Sequence, residues 1–312
     1  MTALEAVAVY LPERRVPIED LADQLGLSPM QVKVFKRYHG LATVCREENG
    51  TLLDLLLAAA AALGVLRGRA GQVRYVLHAR SMPVAVPYPL NPLHEMCRLL
   101  GLGHATAFTV THQACATGLL AIDIAGRLLA ADGEPDGLAL VLAGEKAFTP
   151  AAQLLPDTSV FAEGASACLV RHGGQRDKLL AYATQARGEF DARPGEQPEL
   201  ALRFQREFAE SLAGVIRAAV ARAGLQLSEI SLILPHNVNR VSWRQLCRTM
   251  DFPADRVLLD NVPAIGHCFC ADAFINYQTA AASGLLSPGD RYLVAAAGAG
   301  LGATFSAMVF EH

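Results

Sequence analysis

Short apolar runs alternate with longer helical patterns along this sequence, and that alternation limits the possible folds more than any other feature. The apolar runs predict buried strands over residues 6–11, 73–78, 107–111, 138–143, 165–170, 178–184, 232–234, 257–259, 292–297 and 304–310. The intervening patterns predict helices opening at Ser28-Pro29 and covering residues 52–66, 117–131, 200–223 and 274–283. Strands that alternate with helices are typical of an α/β fold.

The chain divides into two parts with a similar order of elements. Gly173-Gly174 separates the first part from a second one that begins with the strand predicted at 178–184. We therefore expect an N-terminal half at residues 1–172 and a C-terminal half at 173–312. The two halves show no significant repeat of residues, so only the order of elements suggests a duplication.

Charge and hydropathy exclude several classes of protein. The 312 residues include 27 Lys and Arg against 30 Asp and Glu, and 52% are hydrophobic. A nucleic-acid binder needs a concentrated basic surface, which this balance argues against. No export signal is evident at the N-terminus. The run at 55–66 is too short to cross a bilayer and the run at 293–310 is interrupted by glycines, so we expect a cytoplasmic chain without a membrane segment.

The seven cysteines are scattered and odd in number, which argues against a disulfide framework. One of them has a distinctive position. The strand predicted at 107–111 leads into Gln113-Ala-Cys115-Ala-Thr-Gly118, after which a helix begins. The free amides and dipole at a helix start favour a thiolate, the form that attacks a thioester. Cys115 is therefore a candidate nucleophile, although most cysteines are only buried core residues.

Two histidines also follow predicted strands or tight turns. The strand at 232–234 leads into Pro235-His236-Asn-Val-Asn239, and a second turn contains Gly266-His267. Asp272 comes five residues after His267, close enough to fold back and fix the tautomer of the imidazole. Without further information, this His and Asp could equally be a polar pair that bridges a loop.

Residue spacing argues against two other kinds of site, a zinc site and a dinucleotide site. The run His267-Cys-Phe-Cys270 contains zinc ligands but lacks a second ligand pair, so no metal is expected. Strand alternation would instead point Cys268 and Cys270 together into the core. The glycines at 298, 300 and 302 follow a strand near the C-terminus, where there is no room for the helix and acidic residue of a dinucleotide site.

Four of these features together resemble the β-ketoacyl carrier-protein synthase III family. They are the Cys115 turn, the Pro235-His236-x-x-Asn239 loop, the Gly266-His267 turn and the C-terminal Gly-x-Gly-x-Gly hairpin, and they span nearly the whole chain. The resemblance implies the thiolase fold: two pseudo-duplicated α/β halves in five layers, α-β-α-β-α. It also implies a homodimer, with the proline-rich stretch at 83–92 and its Tyr88 reaching the partner. The expected substrate is an acyl-phosphopantetheine on a carrier protein or an acyl-coenzyme A, with no bound cofactor.

The resemblance also assigns roles within the site. It implies that the amides of Cys115 and Gly300 hold the thioester oxygen. His236 stands where condensing members use a His to bind a decarboxylating malonyl thioester. Where that family has Gly-Asn, however, this chain has Gly266-His267. Together with Asp272, this replacement resembles a branch of synthase III-like acyltransferases in natural-product pathways.

We therefore predict a triad of Cys115, His267 and Asp272, in which His267 acts as a general base. His236 would be a secondary hydrogen-bond donor. Asn239 would orient His236, or alternatively cap its own loop.

A possible docking surface follows the His236 loop. Arg240, Arg244 and Arg248 recur every four residues and would share one face of a helix. Such a face suits an acidic carrier protein or the phosphates of coenzyme A, but an ordinary solvated face has the same spacing. Trp243 would either stack at the mouth of the pantetheine tunnel or pack inward.

Three functions follow from these patterns. The first is an acyltransferase that moves an acyl group from a carrier-protein or coenzyme A thioester, through Cys115, to a hydroxyl, amine or carrier thiol in a polyketide or other antibiotic pathway. The second is a decarboxylating β-ketoacyl synthase III. The third is a non-catalytic partner that binds carrier proteins.

Overall fold

The computed structural model describes residues 1–83, 89–149, 152–191, 198–299 and 302–312. Residues 84–88 of the proline-rich stretch, including Tyr88, lie outside these residues, as does Gly300. The predictions made for that loop and for Gly300 therefore stay predictions.

Thirteen strands occur in the described residues. They are β1 Thr2–Tyr10, β2 Arg15–Pro17, β3 Thr43–Cys45, β4 Val73–Ala79, β5 Thr106–Val110, β6 Leu138–Glu145, β7 Leu154–Leu155, β8 Ser159–Val160, β9 Gly164–His172, β10 Lys178–Arg187, β11 Leu232–Pro235, β12 Arg291–Ala299 and β13 Ala303–Glu311. The strand predicted at 257–259 is wrong: only Val257 pairs, through an isolated bridge to Ile233.

The α-helices alternate with these strands as the sequence predicts. Over the described residues they are α1 Ala22–Leu25, α2 Pro29–Val34, α3 Leu52–Ala62, α4 Pro92–Leu99, α5 Thr117–Asp132, α6 Pro198–Arg222, α7 Arg240–Met250, α8 Asn261–Ile265 and α9 Asp272–Ala282. Helix α2 opens with the expected capping box, since the Ser28 hydroxyl accepts the Gln31 amide and the Gln31 side chain accepts the Ser28 amide.

Nine strands form one mixed sheet in which four strands of each part have the same topology, and β5 adds a fifth strand to the first part, parallel to β4. The order is β11-β12-β13-β10-β1-β9-β6-β4-β5, and the parts join where β1 pairs with β10. In each part the first strand pairs antiparallel with the last one (β1 with β9, β10 with β13). That strand pairs antiparallel with a third (β6 or β12), which in turn lies parallel to a fourth (β4 or β11). The proposed boundary after residue 172 falls in the turn between β9 and β10.

Three hydrophobic clusters separate the layers. Helices α3 and α4 pack on one face of the first part of the sheet, through residues such as Leu55 and Met96. Helices α5 and α9 lie on its other face and also against the second part, through Ile122 and Phe274. Helices α6 and α7 cover the outer face of the second part. This arrangement gives the five layers of the expected α-β-α-β-α thiolase fold.

The central helix layer explains one apolar segment. The segment Ala114–Asp132 is long and apolar enough to cross a membrane by length and composition, but 61% of its apolar window is buried inside the protein. Its leucines and alanines are the core contacts between the two parts of the sheet. We interpret it as a core helix.

Candidate active site

The Cys115 turn links β5 to the N-terminus of α5. Cys115 lies in a short 3₁₀ turn, Ala114–Ala116, that leads directly into the helix at Thr117. Two residues of the turn have a left-handed backbone, His112 at φ 73° and Ala114 at φ 43°. Non-glycine residues rarely adopt this conformation, and such strain is common at functional sites. The turn places Cys115 at the helix N-terminus, with 8% of the residue exposed.

The C-terminal glycine segment contacts this turn. A Cβ added to Gly298 would lie 2.4 Å from the Gln113 carbonyl oxygen and 3.1 Å from the Cys115 amide nitrogen, so only glycine fits there. This contact brings Gly298, in β12, against the turn that carries the candidate nucleophile. The amide of Gly300 itself, which the resemblance assigns to the oxyanion hole, lies outside the described residues.

The structure brings His267 to the cysteine. Gly266, in a left-handed conformation at φ 82°, ends helix α8, and His267 follows it. The His267 Nε2 atom lies 3.2 Å from Cys115 Sγ, although the two residues are 152 positions apart in the sequence. Both residues are buried.

Asp272, the first residue of α9, holds the other side of the imidazole. His267 Nδ1 donates a hydrogen bond to Asp272 Oδ2. The same carboxylate accepts the backbone N–H of Cys268 at 2.7 Å and that of Asn237 at 2.6 Å. A carboxylate surrounded by donors fixes the Nδ1–H tautomer, so the Nε2 lone pair faces the sulfur.

These neighbours change the acidity of the imidazole. Burial alone lowers the pKa of His267, but the charges and hydrogen bonds of Cys115 and Asp272 outweigh it and raise the pKa to about 10. The imidazolium is therefore favoured when the sulfur is a thiolate. The arrangement can hold a thiolate–imidazolium pair and can also accept a proton at Nε2.

His236 lies beside this group in a different environment. It follows β11, its ring centroid is 5.8 Å from that of His267, and it is 2% exposed. Its Nδ1 is buried and has no hydrogen-bond partner. Burial, followed by the charge of His267, lowers the pKa of His236 to about 3. His236 is thus a neutral imidazole over the ordinary pH range.

For Asn239 and Trp243, each of which had two alternative roles, the contacts agree with one role. Asn239 caps α7: its Oδ1 accepts the Ser242 amide at 2.7 Å, and its Nδ2 donates to the Thr158 carbonyl at 3.1 Å. It therefore serves the loop and does not orient the His236 ring. Trp243 is 1% exposed and donates from Nε1 to the His236 carbonyl at 2.8 Å. The indole packs inward and does not present a docking surface.

The three arginines do share a helix, as predicted. Arg244 and Arg248 are exposed on α7, whereas Arg240 is half-buried. The Arg240 side chain lies across Gly40, where an added Cβ would be 2.5 Å from Arg240 Cδ. This contact joins α7 to the π-helical turn Phe35–His39, whose Lys36 and Arg37 are exposed.

The strand alternation expected for Cys268 and Cys270 is not formed. Residues Phe269–Ala271 form a 3₁₀ turn. Cys268 and Cys270 are nevertheless both buried, and Cys270 Sγ donates to the Ala79 carbonyl at 3.2 Å. In the part of the chain that the structure describes, no group of three or more His, Cys, Asp or Glu side chains is arranged to hold a metal ion.

Sequence reasoning missed the asparagines behind Asp272. Asn237 Nδ2 donates to Asp272 Oδ1 at 3.3 Å, and Asn276 Nδ2 donates to Asn237 Oδ1 at 2.8 Å. Asn261 then donates to Asn276 Oδ1 at 2.7 Å. The only sequence signal was that Asn237 adjoins His236. Its partner lies 35 residues away, so no local pattern could reveal the contact.

Ser81 and Glu145 were also missed. Ser81 Oγ lies 3.9 Å from Cys115 Sγ, and its backbone N–H donates to Glu145 at 2.8 Å. The Met82 amide donates to the same carboxylate at 2.7 Å. Burial raises the pKa of Glu145 to about 7, despite these amides and the nearby Arg80. Glu145 thus fixes the loop that borders the nucleophile.

Comparison with known proteins agrees with this fold. Residues 220–312 match the family model of the 3-oxoacyl-[acyl-carrier-protein (ACP)] synthase III C-terminal region. β-Ketoacyl-[acyl-carrier-protein] synthase III of Lactobacillus delbrueckii subsp. bulgaricus is 26% identical over 94% of both chains.

Solved structures show the same architecture. The structure titled ChlB3, an acyltransferase, superposes with a TM-score of 0.86 at 22% identity, covering 99% of this chain and 97% of the other. 3-Oxoacyl-[acyl-carrier-protein] synthase III of Aquifex aeolicus superposes with a TM-score of 0.84 at 20% identity over the whole of both chains. The chain is therefore similar to synthase III proteins in the sequence of its C-terminal segment and, over its whole length, in fold.

Proposed function

We propose that this protein is an acyltransferase that carries the acyl group on Cys115 and passes it to an acceptor activated by His267. The observation that supports the proposal best is the continuous contact from Cys115 Sγ through His267 to Asp272. It places an imidazole that can accept a proton where the resemblance expects an Asn amide, which can only donate.

The first half-reaction loads the cysteine. The Cys115 thiolate attacks the carbonyl carbon of an acyl-phosphopantetheine or acyl-coenzyme A thioester, and a tetrahedral intermediate forms. Amides at the helix start and in the C-terminal glycine segment would stabilise its oxyanion. As the carbon–sulfur bond of the donor breaks, the leaving thiolate takes the proton from the His267 imidazolium. The products are the acyl-cysteine, a free thiol and a neutral imidazole.

The second half-reaction uses that neutral imidazole as a base. Nε2 removes the proton of an acceptor hydroxyl, amine or carrier thiol while the acceptor attacks the acyl-cysteine carbonyl. The Cys115 thiolate leaves, and the imidazolium that forms is stabilised by Asp272. The thiolate–imidazolium pair is then restored, so the cycle needs no further reactant.

The second candidate is a decarboxylating synthase, which the names of the relatives favour. That reaction needs two fixed neutral donors at the malonyl carbonyl. Here one ring nitrogen of His267 contacts Cys115 and the other is bonded to Asp272, so the imidazole has no free donor. His236 remains as a single neutral donor. These contacts favour transfer to an acceptor over condensation.

The surface charge supports the proposed donor, and a similar solved structure supports the proposed reaction class. The exposed Arg244 and Arg248 and the basic turn at 35–39 form one surface suited to an acidic carrier protein or to coenzyme A phosphates. The similar structure titled acyltransferase supports the reaction class, and an antibiotic or polyketide pathway is the corresponding proposed setting. We also propose a homodimer, as the family resemblance implies.

The test is a pair of mass measurements. The wild-type protein is mixed with a panel of acyl-carrier-protein and acyl-coenzyme A thioesters, and intact mass records the adduct, with Cys115→Ser as the control. An acyl adduct that is lost in Cys115→Ser and discharged by an acceptor without release of carbon dioxide supports the transferase. Carbon dioxide release with a malonyl thioester would identify the synthase instead. The absence of any adduct across the panel would leave the non-catalytic partner.

A further inference from the structure

Phe269 has an unfavourable backbone conformation inside the candidate site. Its φ is 53°, in the left-handed region that a bulky residue rarely adopts, and it is 2% exposed. It lies two residues after His267, in the 3₁₀ turn that leads to Asp272. Strain of this kind persists only where the surrounding contacts compensate for it.

The compensating contacts form an aromatic cluster of Phe161, Phe269 and His267. The Phe269 ring is parallel to that of Phe161, with centroids 4.3 Å apart and an angle of 5° between the planes. Phe161 in turn stacks on the His267 imidazole at 4.8 Å and 26°. An edge-on contact with His236 at 5.8 Å and 63° adds a second restraint. Together these rings restrict rotation of the imidazole about the Cys115–Asp272 line.

Backbone contacts keep Phe161 in register with His267. The two residues form a parallel bridge, and the Ala162 amide donates to the His267 carbonyl at 2.8 Å. The Phe161 amide donates to the Gln153 carbonyl at 2.9 Å. These bonds fix the Phe161 backbone beside His267, and Phe269 packs on the Phe161 ring with its own centroid 6.3 Å from that of His267.

We infer that Phe269 is a positioning residue for His267: through Phe161 it holds an aromatic face against the imidazole, which fixes the ring plane and stabilises the imidazolium. The inference rests on the proposed function, because it concerns the base of that reaction. A π face attracts a cation, so the stack favours the protonated ring. The other titratable groups in contact with the imidazole are Cys115, Asp272 and His236.

The test measures alkylation of Cys115 by iodoacetamide between pH 5 and 9, followed by intact mass with Cys115→Ser as the blank. Phe161→Leu and Phe269→Leu keep an apolar side chain but remove a ring. We expect both to move the alkylation profile up by about one pH unit, a tenfold change, and to lower acyl transfer by a similar factor.

Phe310→Leu is the matched control. Phe310 is also buried and stacked, on Tyr292 at 5.2 Å and 10°, but it belongs to β13. This variant should lose stability without any shift of the alkylation profile. Unchanged profiles in folded Phe161→Leu and Phe269→Leu would overturn the inference. The alkylation measurement needs no acyl donor. Failure of wild-type acylation would therefore remove the proposed function, while the alkylation profiles would still test the role of Phe269.

If the two variants fail to fold, the contact between the Phe161 ring and His267 is tested in the wild-type protein. In its histidine NMR spectrum, the stacked geometry predicts a His267 ring signal shifted upfield by the Phe161 ring current. The signal is assigned by its loss in His267→Asn. A His267 signal at the position of an exposed histidine would contradict the stack.

Discussion

The two histidine loops of the C-terminal half are close in space but differ in chemistry. His236 and His267 are 2% and 1% exposed, and their ring centroids are 5.8 Å apart. The pKa of His236 is lowered to about 3, whereas that of His267 is raised to about 10. Burial lowers the pKa of both rings, so burial does not explain the difference.

The difference comes from the partners of each ring. His267 contacts the Asp272 carboxylate on one side and Cys115 on the other, while His236 Nδ1 has no partner and its ring faces His267. A charged neighbour in a low-dielectric interior can outweigh the desolvation cost of an ion. One imidazole can therefore act as a base and the other only as a neutral donor, although both occupy the same site.

Removing the ring of His267 should produce the largest effect. His267→Ala eliminates the base, so we expect acyl transfer to fall by roughly 10²–10⁴-fold while some loading of Cys115 persists. Single-turnover assays that follow adduct formation and discharge separately would measure this. His78→Asn is the control, because His78 is also buried but bonds to the Gly144 carbonyl. Transfer at the normal rate in His267→Ala would make His267 structural.

Asp272→Asn should reduce the difference between the pKa values of His236 and His267. The neutral amide cannot balance an imidazolium, and its NH₂ group would face one of the amides that now donate to Asp272. We expect the pKa of His267 to fall toward that of His236 and transfer to drop by about 10²-fold or more. The pH dependence of transfer would record both changes.

Asp177→Asn is the matched control for that substitution. Asp177 is another buried carboxylate, which accepts hydrogen bonds from Tyr277 at 2.6 Å and Tyr292 at 3.0 Å. Its substitution should lower stability without changing the pH profile of transfer. Equal profiles for Asp272→Asn and wild type would remove Asp272 from the triad.

The sequence predicted the residues that meet at the candidate site better than the residues that support them. Cys115 and His267 each follow a strand or glycine turn, and the short separation of His267 from Asp272 allows a contact within one loop. The alternation of strands and helices was enough to predict the fold class. The signals for the three residues each lie within about ten residues of chain, whereas the fold class follows from the alternation along the whole chain.

The supports could not be predicted because they join distant segments. Asn237 reaches Asp272 across 35 residues, and Glu145 reaches Ser81 across 64. The sequence leaves two roles open for both Trp243 and Asn239, and packing decides between them: Trp243 donates to the His236 carbonyl and Asn239 to the Thr158 carbonyl. These contacts depend on how β11 and α7 pack, and residue spacing in the sequence does not determine that packing.

His236→Gln should have a smaller effect. Gln supplies a neutral donor of similar size, as His236 does at a pKa of about 3, so we expect a decrease in transfer of about tenfold or less. The pH profile between 5 and 9 should keep its shape because His236 does not titrate there. A decarboxylating enzyme would respond differently: loss of the donor at the malonyl carbonyl would stop carbon dioxide release.

Glu145 is a carboxyl group whose pKa, like that of His236, is shifted mainly by burial. The variant Glu145→Gln therefore extends the comparison of the two histidines to a third buried group. The pKa of Glu145 rises from 4.5 to about 7 on folding, so the folded state binds its proton more tightly. This group therefore contributes stability that is fully present below pH 4.5 and lost as the pH rises through 7. The loss amounts to at most about 3 kcal/mol.

Glu145→Gln removes this titration but leaves one amide less well bonded, since Gln has only one acceptor oxygen for Ser81 and Met82. Relative to wild type, the variant should thus be less stable at pH 4.5 and gain stability steadily up to pH 8, as measured by urea unfolding at several pH values. Glu163→Gln breaks an ion pair with Lys146 at 3.2 Å and should show no such gain. If the difference in unfolding free energy between the variant and wild type stayed constant across this range, Glu145 would already be ionised at pH 5. Its two amide donors would then outweigh burial, as Asp272 and Cys115 do at His267.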